Sequence, residues 1–148
     1  MDFHDYLTFL QELHQELDTL SGVEQRKITA IQTGDLEALE ACMKQEQAAA
    51  LSLRGREQHR QEMLRALGLE EISLRDLPNH CPPQDRVQTT QITEQVLRSY
   101  QVLSSSQQAA RTLMESNLRH IQQELDRREE ARQTSSAPTR KTTTDFRA

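Results

Sequence analysis

Tryptophan is absent from the 148 residues, glycine occurs four times, and aromatic residues make up 3%. Hydrophobic residues reach only 34%, against about 45–50% in a typical globular domain on a count that also includes glycine. So polar a chain excludes a thick core. It permits a narrow seam between long helices, which needs two or three apolar residues in seven. No apolar run approaches the ~18 residues needed to cross a bilayer, so no membrane span is expected. The opening Met1-Asp2-Phe3-His4-Asp5 lacks the basic region and apolar stretch of a signal peptide. Two cysteines, Cys42 and Cys81, show no metal-ligand spacing. Reduced thiols in a cytosolic protein are expected, with a Cys42–Cys81 disulfide as the alternative and Cys81 on the surface.

Charge is uneven. Residues 1–77 hold 8 basic and 15 acidic side chains, residues 78–132 hold 7 of each, and residues 133–148 hold 3 basic and 1 acidic. An acidic body argues against a nucleic-acid partner, because phosphate binding needs a basic face.

What is present favours helix: Gln, Glu, Leu, Arg and Ala dominate, and β-branched residues are thin until the tail. The fold class is all-α. Phe3, Tyr6, Leu10, Leu13, Leu17 and Leu20 step by threes and fours along a first helix over residues 2–32, with a local bend expected at Ser21-Gly22. Gly34 suits a left-handed helix end and Asp35 an N-cap, so a second helix over 36–67 should return antiparallel to the first. Its middle, Ala48-Ala49-Ala50, allows close approach but buries little area. Gly68 ends it, with Leu69 folding back on Leu64.

Ser73 caps a short helical turn over 73–77, and three prolines at 78, 82 and 83 mark a crossover. A third helix over 84–132 is weakly patterned at first (Val87, Ile92, Val96, Leu97, Tyr100, Leu103) and carries a soft spot at Ser104-Ser105-Ser106. It then sharpens into Leu113, Met114, Leu118, Ile121 and Leu125. The architecture expected is an elongated, coiled-coil-like bundle: an antiparallel hairpin plus a long third helix in one domain, 1–132. A disordered tail, 133–148, follows.

Catalytic chemistry finds no support in the residues. A buried metal pair in a bundle requires Glu-x-x-His, and the residues three before His4, His14, His59, His80 and His120 are Met1, Gln11, Arg56, Leu77 and Asn117. His80-Cys81 lacks a fixed base to lower the thiol pKa, and the scattered glycines form no phosphate loop. No catalytic residue, metal or cofactor is expected. Arg54-Gly55-Arg56-Glu57-Gln58-His59-Arg60 reads as an ion-paired helix face rather than an anion site. The stripe from Leu113 to Leu125 has two readings, bundle core or a groove for a partner helix, and adaptable Met114 suits the second.

The Gly34-Asp35-Leu36-Glu37-Ala38-Leu39 turn, the second helix ending Leu64…Leu67-Gly68, the short Leu69–Leu77 segment and the Asn117-Leu118 stretch together resemble the FlgN family of flagellar export chaperones. The likeness covers about residues 3–130. It implies a cytoplasmic chaperone without nucleotide hydrolysis. Such a protein holds hook-associated subunits of the hook–filament junction before type III export, and components of the export apparatus are further partners. It also implies that the client is gripped by Leu113, Met114, Asn117, Leu118, Ile121, Leu125 and the tail around Phe146. The rival reading is a coiled-coil adaptor that forms a homo-oligomer through the stripe of residues 3–20.

Overall fold

A capping box opens the first helix, α1 (Phe3–Thr33). Asp2 Oδ1 accepts from the Asp5 amide, and Asp5 Oδ2 accepts from the Asp2 amide, both at 3.0 Å. This pairing satisfies two amide groups that a helix start leaves without partners. The computed structural model describes residues 2–136, with side chains through Thr134. Within them the protein is all-α: α1, α2 (Leu36–Ala66) and α3 (Arg86–Ser136), with two single 3-10 turns and no strand.

The α1–α2 connection is as short as the sequence implies. Gly34 has φ 72°, and the amides of Gly34 and Asp35 close back on Ile31 and Ala30. Asp35 then caps α2 by accepting from the Ala38 amide at 3.1 Å. Two residues leave the chain only one option, reversal. Cross-helix partners descend accordingly, with Phe9 against His59, Glu16 against Arg56, and Lys27 against Glu46. The bend expected at Ser21-Gly22 does not interrupt α1.

At its far end α2 stops on Gly68, φ 71°, and the Leu69 amide donates to the Leu64 carbonyl at 2.8 Å. The crossover follows. Ser73 Oγ accepts from the Asp76 amide as an N-cap would, yet the first helical turn is the 3-10 segment Leu77–Asn79. Proline at 78 fixes that start. Leu77 is buried and anchors the crossover to the core.

That long connection lets α3 run parallel to α1, and the pairings ascend together: His4 with Asp85, His14 with Ser99, Gln25 with Ser106. α1 is therefore the central helix, and α2 and α3 each pack on it far more than on one another. The apolar stripe from Phe3 to Leu20 is wholly buried by these neighbours.

Two details differ from the sequence reading. Cys81 is not a surface residue: it is 8% exposed, because its Sγ turns inward and donates to the Pro78 carbonyl at 3.3 Å. Cys42 and Cys81 are both buried free thiols. The triple serine does not break α3, since Ser106 is buried on the seam and accepts from Gln25 at 3.0 Å. A hydroxyl satisfied across the interface no longer competes for its own backbone.

Candidate functional site

The α1–α3 seam sets where the last third of α3 lies. Its inward positions are Thr89, Thr93, Val96, Ser99, Leu103, Ser106 and Ala110, all buried and spaced by threes and fours. Small hydroxyl and methyl side chains let the two helices approach closely; the hydroxyls of Ser99 and Ser106 find partners on α1, while that of Thr93 donates to the Thr90 carbonyl of its own helix. Ser99 donates to Asp18 at 2.8 Å and accepts from His14 Nδ1 at 2.7 Å.

Serine, histidine and aspartate in mutual contact invite comparison with a hydrolytic triad. There the histidine lies between the other two and takes the serine proton. Here His14 also touches both partners, its Nε2 lying 3.4 Å from Asp18 Oδ2, but the serine proton is directed to the carboxylate rather than to the histidine, and the serine is buried in the seam. The group locks two helices.

The α1–α3 offset is 81 residues at both Asp18–Ser99 and Gln25–Ser106. At that offset Thr33, the end of α1, stands level with Met114. Beyond this point α3 has no α1 to pack on. It meets the closed end of the hairpin instead, where Ile121 joins Ala30, Ile31 and Leu39, with Leu36, Leu113, Met114 and Leu125 packed around them. Glu40 of α2 pairs with Arg128 at 3.7 Å on the rim of the same contact.

Each residue of the expected stripe now has a place. Ile121 is 6% exposed, at the centre of the tip cluster. Leu113, Met114 and Leu125 are half-buried around it. Half-buried Asn117 donates to the Leu113 carbonyl at 2.8 Å, within its own helix. Leu118 points away from the cluster and is 53% exposed. Phe146 lies outside the described residues. The stripe is thus partly seam and partly open surface.

Alongside this segment an open groove of about 840 Å³ runs between α1 and α3, lined among others by Ile28 of α1 and Ser105, Ala109, Thr112 and Leu113 of α3. No apolar stripe announces it in the sequence, because most of its lining residues are polar. The basic run of α2 is ion-paired as expected, but mainly across the hairpin. Arg56 reaches Glu12 and Glu16 of α1 and lies 5.9 Å from the centre of the Phe9 ring. Arg60 pairs with Glu57 at 3.0 Å. Among the described residues no cluster of three or more His, Cys, Asp or Glu could hold a metal ion. None of the described helices is long and apolar enough to cross a membrane.

The model of the family described as FlgN protein matches residues 1–141. No curated protein and no solved structure matches the chain. A match across nearly the whole length agrees with the ordered set of helix ends at Gly34 and Gly68. This chain belongs to the FlgN family, the flagellar export chaperones, which is a chaperone family and not an enzyme family.

Proposed function

We propose that the chain binds hook-associated subunits of the hook–filament junction in the cytoplasm, covering helices they later use for assembly, and hands them to the type III export apparatus. The observation that carries this reading is the state of α3 between Leu113 and Leu125. Apolar side chains there rest half-buried on the hairpin tip while Leu118 stands exposed beside them. A subunit awaiting assembly by amphipathic helices presents an apolar face, and a second amphipathic surface covers such a face by helix-in-groove packing. The groove beside Leu113 supplies a trough of suitable shape. Leu113, Met114, Asn117, Leu118, Ile121 and Leu125 form the contact region, with Phe146 of the tail as a further contact.

The adaptor reading rests on a heptad stripe free to pair with a second chain. That stripe, Phe3 to Leu20, is covered here by α2 and α3 of the same chain, which favours the chaperone over the adaptor.

Calorimetric titration of the protein with the C-terminal helical region of a hook–filament junction subunit tests the proposal. A saturable isotherm with a negative heat-capacity change is expected, since apolar burial carries that signature. An absence of binding with folded protein would remove the client assignment.

A further inference from the structure

Continuing the α1 stripe past Leu20 puts a carboxylate where an apolar side chain belongs. Glu24 is 1% exposed, and its Oε2 is sealed from solvent with no hydrogen-bond partner. It borders a cavity of about 300 Å³ where all three helices meet, shared with Lys27 of α1, Glu46 of α2, and Arg111, Met114 and Glu115 of α3.

The cations there do not answer Glu24. Lys27 Nζ donates to both oxygens of Glu46, at 3.0 and 3.1 Å. Glu46 thus already has its cationic partner. With Glu24 protonated, two acids (Glu46, Glu115) face two bases (Lys27, Arg111) and the site is balanced. With Glu24 ionised, an extra negative charge is enclosed, which burial makes costly. Glu24 and Glu46 line the same cavity. Two carboxylates are both acceptors, so neither can satisfy the other until one carries a proton.

We propose that Glu24 is a proton-operated latch: as the neutral acid it donates to Glu46 and closes the middle of the α1–α2 hairpin, and loss of that proton opens it. The location favours such a device. At this level the inward side of α2 is Cys42, Glu46, Ala49 and Leu53, of which only Cys42 is fully buried. Little apolar area holds the helices together there, so one hydrogen bond or one repulsion counts for more. Met114 rims the same cavity, so the latch lies beneath the α3 segment that carries the exposed Leu118.

Burial first, then the hydrogen bond to Glu46 and the charge of Glu46, push the Glu24 carboxyl up to about 7, with Lys27 opposing. The folded value therefore stands above the ordinary 4.5. An acid raised in this way makes the folded protein hold its proton more tightly than the unfolded chain. Stability falls as pH climbs from about 4.5 to about 7 and levels off above. Ionisation within the folded state occurs at the top of that window.

Hydrogen exchange of the α2 amides between residues 42 and 53, corrected for intrinsic rates, tests the latch in the full chain. From pH 6 to pH 8 the ionised fraction of such a group grows about tenfold, and opening of this stretch should rise in proportion. Glu24→Gln, which keeps the shape and donor of the neutral acid, should abolish the rise. Equal pH dependence in both proteins would overturn the proposal. Carbon NMR titration of the Glu24 carboxyl in the unmodified protein needs no variant. A midpoint near neutrality supports the latch, and an ordinary carboxylate midpoint contradicts it.

Discussion

Ser99 of α3 donates its hydroxyl proton to Asp18 of α1 at 2.8 Å, and His14, one turn earlier on α1, donates to the same oxygen at 2.7 Å. One small residue thereby ties the register of two parallel helices. Ser99→Ala removes both bonds. Asp18 is more than half exposed and regains water, so the loss should be about 1 kcal/mol rather than the larger figure for a buried charge. Urea denaturation should show a lower midpoint at unchanged slope. An unchanged midpoint would mean that the Ser99 bonds do not help to hold the seam.

Two glycines with equal space around them should respond with opposite signs. A Cβ added at Gly34 or Gly55 meets nothing within 4 Å. Gly34 has φ +72°, however, and there alanine is strained by about 1–2 kcal/mol. Gly55 lies inside α2, where alanine gains up to about 1 kcal/mol in helix propensity. Thermal melts of Gly34→Ala and Gly55→Ala should move by a few degrees in opposite directions. Shifts of the same sign would contradict the Gly34 cap.

The α1 seam and the helix ends were legible because their signals are intrinsic: leucines at steps of three and four, and glycine where only a left-handed residue fits. The α3 seam was not legible by the same rule. Thr89, Thr93, Ser99 and Ser106 occupy heptad positions, but a search for apolar side chains passes over hydroxyl residues, and the partners of Ser99 and Ser106 lie on another helix. Glu24 was hidden for the same reason, as a charged residue at an inward position. Cys81 was misplaced because its proline-flanked context says nothing about which way Sγ turns. As for the stripe after Leu113, its division between seam and surface depends on α3 outlasting α1. That is a matter of register set by the crossover, and no local pattern encodes it.

The tip cluster should behave as a local unit. Ile121→Ala removes most of the side chain at its centre, worth about 2–4 kcal/mol of packing in a fully formed core. The segment lies beyond the end of α1, so the loss should appear as faster hydrogen exchange over residues 113–128. Protection of α1 between Tyr6 and Leu20 should be unchanged. Equal loss in both regions would show that the tip and the main seam unfold together.

The central claim, that the α3 surface around Leu118 holds the client, is tested most directly by Leu118→Asp. The side chain is 53% exposed, so the substitution should leave helicity and melting temperature close to those of the unmodified protein. Calorimetric titration with the C-terminal helical region of a hook–filament junction subunit should then show affinity reduced at least about tenfold, the equivalent of ~1.4 kcal/mol. Undiminished affinity in that folded variant would place the client elsewhere on the chain.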